Sequence, residues 1–381
     1  MTTTTIPTFV PYRLHRVGTL MAADPKEEYE REGVLNPATG WTPDGQLKMF
    51  ARLVAEGNVS RIGRASVTID FDGNATVRRE GLALEPTRSW EHGSNHGGVE
   101  DPRITFIERL GLHVMTYVAF GPTGPRTALA ISKDLESWER LGPVLFEYQD
   151  DLGVDLNLYP NKDVVFFPDL VPGPGGEPSF AALHRPMWEL SFVRPDEDVT
   201  PPAAAPDSRP AIWISYISAA EVERDVSALT RFSGHKFVAG SLYEWESLKI
   251  GAGPAPVRIP EGWLLIHHGA SGEIAGGSFV PQADVCYSAG AMVLSAEDPS
   301  TVIARTAEPL MAPEAPEEVD GTVANVVFPT ATAIVHGTTY VFYGMADSAI
   351  GLARLERVGA ASALTASADA DSDVAFLGSV R

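Results

Sequence analysis

Two carboxylates, a proline and a guanidinium stand side by side at Gly98-Val99-Glu100-Asp101-Pro102-Arg103-Ile104-Thr105, just ahead of a strand-like run. Pro102 fixes its own φ and pushes Asp101 out of the helical region, so Asp101 is expected on an extended or turn backbone. Successive side chains on an extended backbone point to opposite faces, so Glu100 and Asp101 are expected to serve different environments. That arrangement suits a carboxylate held at a cleft beside a cation. Surface Asp-Pro turns are common and usually structural, so the segment gains weight only from what recurs downstream.

Five further motifs share one character, a polar residue beside a strand with glycine or proline next to it. They are Asn36-Pro37-Ala38, Asn161-Lys162-Asp163-Val164-Val165-Phe166-Phe167-Pro168, Leu183-His184-Arg185-Pro186, Gly262-Trp263-Leu264-Leu265-Ile266-His267-His268-Gly269 and Asn325-Val326-Val327-Phe328-Pro329. Phe342-Tyr343-Gly344-Met345-Ala346-Asp347 ends another strand. His267 and His268 are neighbours on a strand and are expected to face opposite ways. His92-x-x-x-His96 has a spacing that would suit a metal on a helix, but Gly93, Ser94 and Asn95 make it a loop and no carboxylate or cysteine cluster accompanies it. No metal is expected. The chain has neither a phosphate-cradling glycine loop nor a nucleophilic serine elbow.

The elements that must position these residues read as strands. Runs at Ala65 to Phe71, Leu112 to Phe120, Val164 to Phe167, Ala211 to Ile217, Trp263 to His268 and Thr339 to Tyr343 are each bounded by Gly, Pro, Asn or Asp. Helical periodicity is scarce. Pro25 to Glu32 suits a short charged helix, and Gln46 to Ala55 fits either period. An all-β fold follows. Ser132-Lys133-Asp134-Leu135-Glu136-Ser137-Trp138-Glu139 is echoed by Tyr243-Glu244-Trp245-Glu246-Ser247-Leu248 and more loosely by Ser295-Ala296-Glu297-Asp298-Pro299. Turns that set a Trp or Leu under a hairpin are what propeller blades need, so the repeat favours a radial design. Trp138 and Trp245 then read as blade packing. Arg194 to Pro210 reads as a solvated loop, and Ala360 to Asp373 as a tail that is either disordered or packed on a partner.

Composition bounds the rest. The 381 residues carry 44% hydrophobic side chains, enough for a large core, and 35 Gly with 30 Pro suit many short strands. A net charge of −21 argues against nucleic acid or an anionic membrane as partner, and any anion site must be a local basic island. The single cysteine, Cys286, excludes an intramolecular disulfide framework. Residues 1–11 lack a signal pattern and no apolar run reaches membrane-span length, so a soluble cytoplasmic protein is expected.

In order along the chain, from about Asn36 to Leu355, these motifs resemble those of glycoside hydrolase family 130, the β-mannoside phosphorylases and β-mannosidases, which are five-bladed β-propellers. The resemblance takes in Glu-Asp-Pro-Arg, Lys-Asp-Val-Val, His-Arg-Pro, the Trp-Glu-Ser-Leu-Lys-Ile-Gly stretch from Trp245, Gly-Trp-Leu-Leu-Ile and Val-Val-Phe-Pro. It implies one propeller over residues 1–359, followed by the tail at 360–381. It also implies that Asp101 matches the general acid, acting through the 3-hydroxyl of the mannose in the −1 subsite. Phosphate then attacks C1 from the opposite face with inversion and gives α-mannose 1-phosphate. Such an enzyme needs one protein carboxyl, whereas an inverting hydrolase needs a second as base. To be protonated at neutral pH, Asp101 needs a raised pKa, which burial or Glu100 favours and Arg103 opposes.

The resemblance places Lys162, Arg185, His268 and Tyr287 at phosphate-contacting positions, where charge-assisted hydrogen bonds contribute roughly 1.5–3 kcal/mol each. Asn36 and Asp347 match residues around the −1 mannose, with Arg103 near the same pocket and Tyr117 and Trp188 as lesser candidates for walls. Cys286 stands where many relatives carry a basic residue. The substrates implied are a β-mannoside oligosaccharide and inorganic phosphate, with no other cofactor. A β-mannosidase of the same family is the alternative, and a non-catalytic carbohydrate-binding propeller is the alternative of another class. Family members often assemble, which leaves room for a homo-oligomer.

Overall fold

The computed structural model describes residues 6–8, 10–92, 97–188, 201–273 and 284–358. Strands dominate, as the punctuated apolar runs require. After β1 (Tyr12–Ala22) come β2 (Gly33–Trp41), β3 (Leu47–Ala55), β4 (Val59–Ile69) and β5 (Ala75–Leu84). The next group is β6 (Gly97–Ile107), β7 (Leu112–Gly121), β8 (Gly124–Ser132) and β9 (Glu139–Pro143). A short β10 (Leu145–Phe146) precedes β11 (Asn161–Phe166), β12 (Val171–Pro172), β13 (Pro178–Pro186), β14 (Ile212–Ser218) and β15 (Arg231–Ala239). Then follow β16 (Lys249–Ala252), β17 (Val257–Ile259), β18 (Gly262–Glu273), β19 (Asp284–Leu294) and β20 (Val302–Arg305). The last are β21 (Val327–Val335), β22 (Thr338–Met345) and β23 (Ala349–Arg357). The ambiguous stretch at Gln46 to Ala55 is strand β3, and the expected helix at Pro25 to Glu32 is only a 3-10 turn, Glu28–Glu30.

Hydrogen bonding joins these strands into sheets of four, six, five and eight. The eight-stranded sheet is two antiparallel meanders, β2–β5 and β6–β9, joined through the parallel pairing of Val59 with Gly97 and Ser60 with Gly98. The other meanders are β11-β13-β14-β15, β16-β18-β19-β20 and β21-β22-β23, and β1 pairs with β23 as the outer strand of the last. The chain's first strand thereby closes its final meander, with Tyr12 opposite Arg357. No helix among the described residues is long and apolar enough to cross a membrane.

The core lies between meanders rather than inside one. On β11, Val164 and Phe166 join Ile107, Val114 and Leu129 of the preceding meander, while Val165 joins Trp263, Leu265 and Met292 of the following one. Both strand faces are therefore buried, and the apolar run from Val164 to Phe167 shows no alternation for that reason. Each such side chain contributes about 1.5–3 kcal/mol by leaving water.

A buried glutamate anchors four of the five meanders. Glu30, Glu91, Glu246 and Glu318 each lie in the turn before an inner strand, at 0–3% exposure. Each accepts backbone N–H groups a few residues upstream: Asp24 to Glu30, Thr87 and Arg88 to Glu91, Leu242 to Glu246, and Glu314 with Ala315 to Glu318. Each also takes an arginine from the outer strand, namely Arg79, Arg140, Arg305 and Arg16 respectively. Tyr117 and Tyr343, on second strands, donate to Glu91 and Glu318.

The repeat legible in the sequence is thus partly misaligned. Ser132 and Ser295 do cap equivalent turns between third and fourth strands, accepting from Leu135 and Asp298. Trp245 instead sits in the turn before β16, with its ring against His267. Trp138 meets Phe50 edge-on, 5.5 Å between ring centroids. The tail at 360–381 and residues 194–200 lie outside the described residues, as does His96. Residues 201–210 are irregular chain.

Candidate active site

The site grows from bends at the starts of the inner strands. Asn36, Asp101 and Asp163 occupy the left-handed region, with φ of 45, 46 and 55°. Asn325, just ahead of β21, does the same with φ 60°. Asn and Asp tolerate that region better than other side-chain-bearing residues. Register breaks mark the first three bends, at Leu35/Ala38, Glu100/Arg103 and Lys162/Val165. Asp101 is therefore neither extended nor alternating with Glu100. The expectation that the two carboxylates serve different environments is wrong, because the bulge turns both toward one guanidinium.

That guanidinium belongs to Arg52 on β3. It donates from Nη1 to Asp101 Oδ1 at 3.0 Å and from Nη2 to Glu100 Oε1 at 2.9 Å, while Nε reaches Ser60 Oγ at 2.9 Å. Asn36 Nδ2 donates to the same Asp101 oxygen at 2.8 Å. Lys162 Nζ lies 3.2 Å from Asp101 Oδ2. Gly344 makes room for this, since a Cβ there would stand 2.3 Å from Asn36 Oδ1. Burial opposes ionisation of Asp101, but Lys162 and Arg52 outweigh it and hold the carboxyl well below the usual range. The raised pKa expected of an acid is absent here. Asp347, φ 51° after β22, behaves oppositely. Burial pushes it up to about 6, with Asp101 and Glu100 adding and Arg52 and Lys162 opposing.

A second centre forms around Asp163. Arg103 Nη2 lies 3.2 Å from Asp163 Oδ1, Arg185 Nε donates to Oδ2, and His268 Nε2 is 3.5 Å from Oδ2. Gly251 permits the approach, because a Cβ there would sit 2.3 Å from Asp163 Oδ2 and 2.5 Å from His268 Cε1. Phe328 packs on His268 at 4.3 Å between centroids, Tyr287 stands 6.3 Å from it, and Lys249 Nζ lies 5.3 Å from the Tyr287 ring. Burial and the neighbouring cations Arg185, Arg103 and Lys249 keep His268 neutral, its pKa well below the ordinary value. Burial opposes ionisation of Asp163, but Arg185 and Arg103, with Lys162, outweigh it and keep the carboxyl ionised. Arg103 Nε and Nη1, Arg185 Nη1 and both His268 nitrogens are buried without a hydrogen-bond partner among the described residues. The centre therefore carries an excess of positive charge and of unused donors.

The third meander, which supplies Lys162 and Arg185, is braced without charge. Asn161 Nδ2 donates to His184 Nδ1 at 3.0 Å, and His184 Nε2 to Ser215 Oγ at 2.7 Å. Ser215 Oγ donates to His235 Nδ1 at 2.8 Å, whose Nε2 donates to the Glu147 carbonyl at 2.8 Å. The terminal carbonyl can only accept, which fixes the direction of every bond and makes both histidines Nε2–H tautomers. Burial keeps both neutral.

The sequence-expected residues thus fall into two neighbouring sets. Asn36, Asp101 and Lys162 meet directly, with Asp347 within their field; Arg103, Arg185, His268 and Tyr287 gather around Asp163. His267 faces away from His268, toward Glu246 at 3.8 Å. Tyr117 and Trp188 are not walls: Tyr117 donates to Glu91, and Trp188 packs in the core on Tyr159 and Trp213. Arg52, Asp163 and Lys249 escaped the reading of the sequence. Aligning Asp163-Val-Val-Phe with Asn325-Val-Val-Phe would have exposed Asp163.

Fold and site together define an all-β protein whose inner strands set a carboxylate centre beside a cationic one. The glycoside hydrolase family 130 model, described as β-1,4-mannooligosaccharide phosphorylase, matches residues 14–165 and 228–358. The chain belongs to this family. It is 31% identical over 339 residues to a 1,2-β-oligomannan phosphorylase of Thermoanaerobacter sp. (strain X514), covering 87% of this chain and 92% of that one. It is 28% identical over 357 residues to a β-1,2-mannobiose phosphorylase of the same organism, covering 91% and 98%. The structure of the β-1,2-mannobiose phosphorylase from Listeria innocua with β-1,2-mannobiose superposes with a TM-score of 0.61 at 21% identity, covering 90% of this chain and 96% of that one.

Proposed function

We propose that the protein is an inverting phosphorylase of β-1,2-linked mannosides built as a single five-bladed propeller. Each four-stranded meander is a blade, and the bends at the inner-strand starts line a central depression. Asn36, Arg52 and Asp347 hold the mannose beside Asp101, and Arg103, Arg185, His268, Lys249 and Tyr287 hold phosphate. A phosphate oxygen forms the bond to C1 as the C1–O bond to the leaving sugar breaks. The departing oxygen takes a proton from Asp101 through the 3-hydroxyl, and the proton released by phosphate restores the acid. The β-1,2 linkage rests on the two relatives that match this chain over nearly their whole length.

One observation carries the choice of phosphate over water. Where a hydrolase would need a free carboxylate base, the carboxylate present is Asp163, engaged by two arginines of which Arg103 Nε and Nη1 and Arg185 Nη1 have no hydrogen-bond partner among the described residues. Arg185→Ala and Lys249→Ala should each raise the KM for phosphate about tenfold or more, at a KM for mannobiose that moves little, each removing a charge-assisted contact. Steady-state kinetics with each substrate varied in turn checks this. An unchanged phosphate dependence in both variants defeats the anion assignment.

A further inference from the structure

We propose that Lys162 couples the two centres: a dianion bound at the Asp163 cations draws the Lys162 ammonium off Asp101, and Asp101 then takes up the proton it needs to serve as acid. This rests on the phosphorolysis reading above. It answers a difficulty the geometry creates, since an acid whose two oxygens are both held by cations has no proton to give.

Lys162 is placed for the exchange. It stands next to Asp163 in sequence, yet its ammonium contacts Asp101 Oδ2 at 3.2 Å, so it belongs to both centres. Oδ1 is held by Asn36 and Arg52, whereas Lys162 is the cation at Oδ2. Its side chain is 23% exposed, against 2% for Arg103 and 6% for Arg185, so it is less fixed by packing than those arginines. A lysine swings on a flexible stem and needs no fork geometry, unlike the arginines around it.

The groups facing Asp101 come from every packed element: Asn36 from β2, Arg52 from β3, Glu100 and Arg103 from β6, Lys162 from β11, and Asp347 after β22. Withdrawing Lys162 leaves Arg52, which Glu100 already shares. The dianion itself adds negative charge nearby. Both changes favour the protonated carboxyl. Proton uptake would thus occur only when phosphate is in place, so the acid is armed with the nucleophile present.

By linkage, an anion that promotes protonation binds more tightly as pH falls. Sulfate is the probe, because it stays dianionic from neutral pH into the carboxylate range and contributes no titration of its own. Its affinity, measured by calorimetry from neutral pH downward, should rise on acidification in the unsubstituted protein. The rise should be several-fold steeper than in Asp101→Asn or Lys162→Met, and Asp347 and His268, which also gain protons beside an anion, account for the remainder in all three. Equal pH dependence in the protein and in Asp101→Asn, with binding intact, overturns the coupling and leaves the phosphate site standing. If Asp101→Asn does not fold, Lys162→Met decides on the same criterion. Failure of sulfate and phosphate to bind at all, with Arg185→Ala making no difference, overturns the phosphorolysis reading itself.

Discussion

Asp101 and Asp347 share one electrostatic neighbourhood and are driven in opposite directions by it. Asp101 holds two cations and an amide directly, whereas at Asp347 burial outweighs the more distant pull of Arg52 and Lys162. Asp101→Asn keeps the size of the side chain and its contact with Arg52, so the fold should survive while turnover falls by at least three orders of magnitude, in the range of a lost acid. Near-normal turnover would remove Asp101 from the chemistry. For Asp347 the sign is reversed. A carboxyl raised to about 6 stabilises the fold at acid pH, and that contribution is lost as pH climbs through 6. Asp347→Asn should therefore gain stability over the parent as pH rises from the carboxylate range to neutrality, by on the order of 2 kcal/mol. Denaturant titrations at several pH values check it, and a gain that shrinks with rising pH contradicts the assignment.

At this scale the sequence was informative where a rare backbone bend coincided with a proline. Asn36-Pro37 and Asp101-Pro102 stood out, and both prove to be left-handed bends. Arg52 was invisible because it sits mid-strand between Ala51 and Leu53, where an alternating pattern reads it as solvent-facing. Its role depends on the bulge in a different strand that turns Glu100 and Asp101 together.

At the scale of elements, the meanders are held by two kinds of brace. Four use a buried glutamate gripped by an outer-strand arginine, while the third uses the neutral chain from Asn161 to His235. The difference suits the neighbouring cations, since a buried carboxylate in the third meander would compete for Lys162 and Arg185. Breaking a charged brace removes several bonds at once, so Glu318→Ala should cost about 3 kcal/mol in a denaturant titration: Arg16 keeps only Glu314 and the Ala312 carbonyl, the Glu314 and Ala315 N–H groups lose their acceptor, and the Tyr343 contact is lost. A cost under 1 kcal/mol would show the brace to be incidental. Breaking the neutral chain should act on the site instead. Ser215→Ala should raise the KM for phosphate several-fold while the KM for mannobiose stays put, and equal effects on both would mark a general loosening. Neither brace was legible beforehand. Their partners lie tens to hundreds of residues apart, and a lone Glu in a turn or a His in an apolar run carries no local signal.

Across the whole molecule, the all-β character was legible because short apolar runs with Gly, Pro and Asn punctuation leave little else open. The grouping of strands was not, since closure pairs Tyr12 with Arg357 across nearly the full chain. The molecule carries a net charge of −21 and yet gathers Arg103, Arg185, Lys249 and Lys162 in the neighbourhood of Asp101 and Asp163. A repelling exterior with a cationic interior selects for an anion held by several directed donors at once, as a phosphate dianion would be. The co-substrate is therefore the point on which a phosphorylase and a hydrolase part. The decisive measurement is product analysis on β-1,2-mannobiose and its β-1,3 and β-1,4 isomers, with and without inorganic phosphate. Phosphate-dependent release of α-mannose 1-phosphate, fastest from the β-1,2 isomer, is the result predicted. Free mannose released at a rate indifferent to phosphate would contradict it and make the protein a hydrolase.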